Sequence, residues 1–189
     1  IHDMLIINHV KDAGGVVVKS RGEGDSHFAV FARAGDALNT AVAIQRALAA
    51  QTWPTAAALC VRMALHSGEA ELRMGDYFGR SVNRTARIRA VGHGGQVLLS
   101  RATAELVRDQ LPADVALRDL GSHKLKDLSR AEQIYQIDIE GLPTEFPPLK
   151  SLNQQAHNLP AQSTSFIGRE REVAEISSLL REEDVRLVT

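Results

Sequence analysis

The chain has 189 residues, of which 44% are hydrophobic and 24% are charged, so its composition is that of a folded globular protein. The 22 basic and 23 acidic residues leave a net charge of −1, which supplies no overall attraction for nucleic acid or an anionic membrane. A single cysteine, Cys60, excludes an intramolecular disulfide and a cysteine-based zinc site. No apolar run is long enough to span a membrane and no signal peptide opens the chain. We therefore expect a cytoplasmic protein with neither a membrane nor a nucleic acid as partner.

The sequence predicts helices alternating with short strands. Apolar residues at helical spacing predict helices over 1–13, 36–50 and 79–91, and Ser100 is the predicted N-cap of a helix that ends near residue 110. Short apolar runs predict strands over 16–21, 28–31, 58–66, 96–99, 115–120 and 133–139. The first two strands flank the glycine-rich turn Gly22–Asp25, which is typical of a β-hairpin. Cys60 falls in the third strand, where we expect a small buried residue.

The order of these elements predicts an α+β domain. The chain opens at Ile1, inside an apolar pattern, and one strand before it would complete a β-α-β-β-α-β order. That order describes a ferredoxin-like antiparallel sheet with helices on one face. We therefore expect the first strand to be missing from this chain, which we interpret as truncated at its N-terminus.

A change of composition near residue 141 predicts a domain boundary. Residues 141–162 hold four of the six prolines and little helical or strand pattern, which is typical of a linker. An amphipathic pattern resumes at Ser163. We expect a first domain over 1–140, a linker over 141–162 and the beginning of a second domain over 163–189.

Two groups of polar residues are candidates for a functional site. Asp25 lies in a glycine-flanked turn, where a carboxylate can reach a hard cation, although an aspartate also simply favours a turn. Asn83 and Arg87 are four residues apart and share one face of the predicted helix, where an amide and a guanidinium can bind a sugar and a phosphate. The alternative is an ordinary solvated helix face, and we expect Arg84 and Arg89 to be solvated surface charges.

Four blocks of the sequence resemble the catalytic domain of the class III adenylate and guanylate cyclases, in that family's order and spacing. They are VKSRGEGDSHFAVF (18–31), VRMALHSGEA (61–70), GDYFGRSVNRTAR (75–87) and GGQVLLS (94–100). The resemblance covers about residues 1–140 and favours the functional interpretation of both polar groups. The residues from 158 onward resemble the entry to a signalling ATPase domain of the AAA/STAND type, which implies a downstream NTPase domain as a partner in the parent protein.

The resemblance implies an enzyme that converts ATP to cyclic AMP and pyrophosphate, by attack of the ribose 3′ oxygen on the α-phosphate. It implies two Mg²⁺ or Mn²⁺ ions held by two aspartates. Asp25 matches one aspartate, and the other belongs to the strand expected before residue 1, so this chain alone is expected to be inactive. The family's sites lie between two catalytic domains, which implies a homodimer with shared active sites.

The resemblance also assigns the residues that read the base. Asp76 matches the residue that accepts a hydrogen bond from the adenine amino group, which favours ATP over GTP. The family's usual partner is a lysine four residues before the hairpin aspartate. Arg21 occupies that position here, and Lys19 lies two residues further from Asp25.

Three further residues match positions that contact the sugar and the phosphates. Asn83 matches the residue that orients the ribose, and Arg87 matches the arginine that stabilises charge on the α-phosphate. Lys126 lies where family members often place a lysine near the terminal phosphates. The alternative function is a cyclase homologue that has lost catalysis and serves as a dimerising or nucleotide-sensing module. An RNA-binding role is disfavoured because the strands lack an aromatic platform for stacking bases.

Overall fold

The computed structural model describes residues 2–18, 26–54 and 58–152. The chain divides into two units, 1–155 and 156–189, and all the described residues belong to the first. The beginning of a second domain predicted over 163–189 lies outside the described residues, and the domain boundaries stay a prediction. Within the described ranges, no helix has the length and apolar character that a membrane span requires.

The described residues form an α+β fold, as the sequence predicts. Its helices are α1 (His2–Asp12), α2 (Ala34–Ala50), α3 (Arg80–Val91) and α4 (Arg101–Val107), the last continued by a 3-10 turn (Arg108–Gln110). Its strands are β1 (Val16–Val18), β2 (Phe28–Val30), β3 (Met63–Leu65), β4 (Glu71–Arg73), β5 (Asp76–Phe78), β6 (Val97–Ser100), β7 (Val115–His123) and β8 (Glu132–Ile139).

The main sheet has four strands in the order β3-β6-β8-β7. Strands β3 and β6 run parallel, whereas β8 is antiparallel to both of its neighbours. Strands β1 and β2 form a separate hairpin, with Val16 opposite Val30 and Val18 opposite Phe28. The predicted hairpin is thus confirmed, and the residues that flank the segment carrying Asp25 are brought together.

The described helices divide between the two faces of the main sheet. Helices α2 and α4 pack on one face, in a buried cluster that includes Leu38, Val42, Val97, Leu99, Val107, Tyr135 and Ile137. Helix α3 packs on the other face, in a cluster formed by Ile88, Val91, Leu98, Leu125, Ile134 and Leu149. Leu98 and its neighbours Val97 and Leu99 separate in this way because successive side chains of a strand point to opposite faces. The expectation of helices on one face therefore holds for α2 and α4, while α3 covers the other.

The strand predicted over 58–66 is shorter in the structure, and Cys60 is exposed rather than buried. Only Met63–Leu65 pairs as a strand, with Val97–Leu99 of β6. The segment before Met63 makes isolated hydrogen bonds, one of them from the Gly95 N–H to the Val61 carbonyl at 3.0 Å. The prediction for Cys60 was wrong because apolar composition alone does not provide a pairing strand.

Candidate active site

Helix α3 carries Asn83 and Arg87 one turn apart. It begins after Gly79, whose φ of +126° lies in a region that favours glycine. The helix packs on the sheet through Ile88 and Val91, which leaves Asn83 exposed and Arg87 half-buried. Asn83, predicted to orient the ribose, and Arg87, predicted to bind the α-phosphate, therefore lie together on the accessible side of α3. The opposite side of the helix packs in the core.

Arg87 reaches across to the loop between β7 and β8. Its Nη2 atom donates to Oδ2 of Asp127 at 2.5 Å, although the two residues are 40 positions apart in the chain. Lys126 directly precedes Asp127 and is exposed. The structure thus places the loop that carries Lys126 against Arg87, the two residues that the resemblance assigns to the phosphates. Asp127 was not a candidate from the sequence.

Asp76 lies in a hairpin that the sequence did not predict. Strands β4 and β5 pair with Arg73 opposite Asp76, and both turn residues, Met74 and Gly75, have positive φ, as in a type I′ turn. Asp76 is half-buried, and its Oδ1 accepts from the Tyr77 N–H at 2.8 Å. This hairpin therefore fixes the carboxylate that the resemblance assigns to base recognition.

The hairpin of Asp76 contacts the hairpin that carries Asp25. The rings of Tyr77 and Phe28 meet edge to face, with 6.5 Å between their centroids. Asp25, Arg21 and Lys19 themselves lie outside the described residues. A carboxylate is the hard oxygen ligand that Mg²⁺ and Mn²⁺ prefer, so the donor chemistry of Asp25 fits the metal that the resemblance implies.

His66 joins the end of β3 to the start of α4. Its Nδ1 lies 2.7 Å from Oγ of Ser100, which is fully buried and accepts from the Thr103 N–H at 3.4 Å. Ser100 is thus the N-cap of α4, as predicted. Burial lowers the pKa of His66 below its ordinary value, and the guanidinium of Arg84 lowers it further. The geometry is that of a packed structural histidine.

Arg84 was expected to be a solvated surface charge; its side chain is 42% exposed, and it also has a partner in the sheet. Its Nε lies 3.4 Å from Oε2 of Glu132, and the Glu132 side chain is only 11% exposed. Burial raises the pKa of Glu132, and Arg84 partly offsets that rise. Arg84 therefore connects α3 to β8 and belongs to the structural side of the helix.

A cluster that the sequence reasoning missed lies at the start of α1. His2, Asp3 and His27 offer ligand atoms within 4.8 Å of one another, and the imidazole of His2 is 2.9 Å from Asp3 Oδ1. His27 Nε2 lies 3.6 Å from the same Asp3 oxygen, and a tetrahedral zinc site places its ligand atoms roughly 3.4 Å apart. The hydrogen bond between neighbouring residues explains the closest approach without a metal.

Two cavities of the described part lie away from these residues. One, of about 240 Å³, is lined by residues of β7, β8 and the segment 144–149, and the other, of about 320 Å³, lies beside the start of β7. Asp76, Asn83 and Arg87 line neither cavity. Asp76 and Arg87 are half-buried, and Asn83 is exposed.

Residues 17–138 match the family model of the adenylate and guanylate cyclase catalytic domain. The chain belongs to that family. The matched region contains Asp25, Asp76, Asn83, Arg87 and Lys126. The resemblance carried by the four sequence blocks is therefore confirmed, and residues 17–138 are called the cyclase domain below.

Proteins similar to this cyclase domain include one mycobacterial relative and two solved structures. An uncharacterized protein of Mycobacterium tuberculosis is 41% identical over 173 residues, which cover 91% of this chain and 58% of that protein. The adenylate/guanylate cyclase/hydrolase of Silicibacter pomeroyi is 29% identical, with a TM-score of 0.64 over 74% of this chain and 81% of that one. An adenylate cyclase of Trypanosoma brucei shares the fold at 22% identity, with a TM-score of 0.68 over 78% of this chain and 80% of that one. The chain thus spans somewhat more than half of the mycobacterial relative.

Proposed function

We propose that the cyclase domain converts ATP to cyclic AMP and pyrophosphate. The observation that supports this most directly is the placement of Asn83 and Arg87 on one accessible side of α3, beside the loop that carries Lys126. An amide, a guanidinium and an ammonium are the donors that suit a ribose and a chain of phosphates. Membership of the family supplies the class of reaction.

In the proposed reaction, the ribose 3′ oxygen attacks the α-phosphorus and forms the cyclic phosphodiester, while the bond to the β-phosphate oxygen breaks and pyrophosphate leaves. Asn83 hydrogen-bonds the ribose and holds it for in-line attack. Arg87 stabilises the negative charge that builds up on the α-phosphate, and Lys126 binds the departing phosphates. Bound Mg²⁺ or Mn²⁺, held in part by Asp25, neutralises charge on the phosphates.

Asp76 gives the proposed site its preference for adenine. A carboxylate accepts from the adenine amino group, whereas guanine presents a carbonyl at the same position and would be repelled. Arg21, or Lys19 after a local shift, supplies the donor to the base from the same hairpin as Asp25. The proposed substrate is therefore ATP rather than GTP.

The proposed active assembly is a homodimer. One copy contributes Asp25 and the other contributes Asp76, Asn83 and Arg87, so that two equivalent sites form across an isologous interface. The accessibility of Asn83 and Arg87 on one side of α3 supports this arrangement, since a second copy can cover a nucleotide bound there. Residues 141–162 would then link this domain to an NTPase domain that begins at residue 163, in a cytoplasmic signalling regulator.

The test is a cyclase assay on the full-length protein that contains this chain, incubated with ATP or GTP and Mn²⁺. We expect cyclic AMP from the wild type and from the control Asp12→Ala, an exposed aspartate at the end of α1, and almost none from Asp25→Ala. A folded dimer that binds ATP but forms no cyclic nucleotide would contradict the proposal and favour the nucleotide-sensing module.

A further inference from the structure

The segment after β8 packs on the cyclase domain although it contains neither helix nor strand. We call residues 142–152 the C-terminal strap. The Thr144 carbonyl accepts from Nε2 of Gln136 at 2.7 Å, and Oε1 of Glu145 accepts from Nη1 of Arg118 at 2.8 Å. The strap thus crosses β8 and β7 on its way out of the sheet.

The far end of the strap is bound to α3 and to the loop after β7. The N–H of Lys150 donates to the carbonyl of Val91, in the last turn of α3, at 3.0 Å. The N–H of Leu152 donates to the carbonyl of Lys124, also at 3.0 Å. Ser151 is buried, and its Oγ lies 3.0 Å from Nδ1 of His123. Hydrogen bonds therefore join the strap to two elements that carry proposed active-site residues.

Leu149 anchors the strap in the core. It is 4% exposed and belongs to one apolar cluster with Ile88 and Leu125. Ile88 is the neighbour of Arg87 in α3, and Leu125 lies two residues before Asp127 in the β7–β8 loop (124–131). One strap side chain therefore shares an apolar cluster with a residue close in sequence to each member of the Arg87–Asp127 ion pair.

The ion pair itself does not hold the loop in place. The Arg87 and Asp127 side chains are 40% and 58% exposed, and exposed pairs contribute little to stability. Asp127 also has a φ of +60°, in the left-handed region, which aspartate adopts more readily than most residues but which is favoured only when the surroundings stabilise it. The position of the Asp127 carboxylate therefore depends on how the β7–β8 loop is packed, and the packing is supplied by Leu125 and Leu149.

We propose that the C-terminal strap positions Arg87 for catalysis. Leu149 fixes the β7–β8 loop, and Asp127 in that loop orients the guanidinium toward the α-phosphate beside Lys126. Asp127 and Leu149 are positioning residues, because they act through Arg87 and contact no substrate. The inference rests on the proposed cyclase function, and it makes the segment leading into the downstream residues part of the catalytic geometry.

The test measures kcat and KM for ATP in the full-length protein. Asp127→Asn and Leu149→Ala should each lower kcat roughly ten- to hundredfold, since a misplaced catalytic group costs rate even when binding is intact. KM should change little, and Asp127→Glu should recover part of the lost kcat because it keeps the carboxylate. The double variant Asp127→Asn/Leu149→Ala should lose no more than the stronger single variant, because both changes act on the same group.

Two matched controls separate positioning from general stability. Asp114→Asn removes another aspartate that pairs with an arginine, Arg46, and Leu142→Ala removes a strap leucine that packs on the opposite face of the sheet. Both should retain wild-type kcat once the folded fraction is taken into account. A faster Asp127→Asn variant, or a Leu149→Ala variant no slower than Leu142→Ala, would overturn the proposal.

A hydrogen-exchange measurement keeps this proposal separate from the proposed activity. Leu149→Ala should accelerate exchange in residues 124–131 and in the last turn of α3, whereas Leu142→Ala should leave both as in the wild type. Equal exchange in the two variants would overturn the strap's role whatever the enzyme does. A wild type that forms no cyclic nucleotide, with Leu149→Ala still loosening the loop, would instead contradict the proposed function.

Discussion

Arg84 and Arg87 lie within one turn of α3, yet the structure gives them different surroundings. Arg84 faces Glu132 in the sheet, and its charge adds to the lowering of the His66 pKa that burial causes. Arg87 points to the exposed β7–β8 loop and stays accessible on the side shared with Asn83. The difference follows from the helical repeat, which turns residues three apart by about 60° relative to each other.

The sequence identified Arg87 through its spacing from Asn83, because residues four apart share a helix face. It gave no sign of the Arg87–Asp127 pair, since that contact depends on how a loop 40 residues away is folded. The partner of Arg84 was missed for the same reason, because Glu132 comes from a distant strand. Local spacing thus predicts which residues share a face but not what the tertiary fold places opposite them.

Asp76→Asn should weaken the preference for ATP. The asparagine oxygen can still accept from the Tyr77 N–H, so the hairpin geometry is retained. The other carboxylate oxygen becomes an NH₂ donor, which matches the carbonyl of guanine and not the amino group of adenine. We expect the ratio of kcat/KM for ATP to that for GTP to fall by at least about tenfold. An unchanged ratio, measured with both nucleotides, would show that Asp76 does not read the base.

At the scale of elements, the longer helices and the core strands were predicted well because their periodicity is strong. The β4–β5 hairpin was missed because its strands have only three residues each, with β4 exposed and β5 half-buried throughout, which leaves no apolar alternation. Its turn also uses Met74 in a left-handed conformation, where asparagine or aspartate with glycine is the usual signal. The packing of the C-terminal strap was not predicted either, since a proline-rich composition occurs both in free linkers and in segments that pack on a domain.

The contact between β3 and α4 should make stability depend on pH. Burial lowers the pKa of His66 in the folded state, so the unfolded state binds more protons as the pH falls through the histidine range. The contribution of His66 is thus complete above its ordinary pKa and is lost as the pH falls toward the lowered one. We expect Tm to fall between about pH 7.5 and about pH 5.5, and His66→Gln to show a smaller fall.

The matched control for this measurement is His9→Gln, since His9 lies in α1 and its Nδ1 is 2.8 Å from the carbonyl oxygen of Leu5 in the same helix. Glu132 is present in all three proteins, so its own titration cancels in the comparison. His9→Gln should keep the pH dependence of the wild type. If His66→Gln keeps it as well, the His66–Ser100 contact is not the source of the effect.

At the scale of the whole molecule, the proposed catalytic residues are spread over separate elements. Asp76 lies in the β4–β5 hairpin, Asn83 and Arg87 lie on α3, and Lys126 lies in the β7–β8 loop, while Asp25 belongs to the β1–β2 hairpin. The sequence predicted this set because the family's motifs recur in order, not because any local pattern brings the residues together. The pairing of hairpins and the packing of α3 required the structure, since they are set by contacts between distant parts of the chain.

The central claim is an active site shared between two copies of the cyclase domain, and subunit complementation tests it most directly. Asp25→Ala and Arg87→Ala should each be nearly inactive alone, since losing a group that stabilises the transition state costs on the order of 10²–10³ in rate. When the two variants are mixed, a dimer with one subunit of each has one site with both mutations and one site with an intact Asp25 and an intact Arg87. Random exchange of subunits should then restore about a quarter of the wild-type sites, measured as cyclic AMP. A mixture that stays as inactive as either variant, although mixed dimers form, would contradict a shared site.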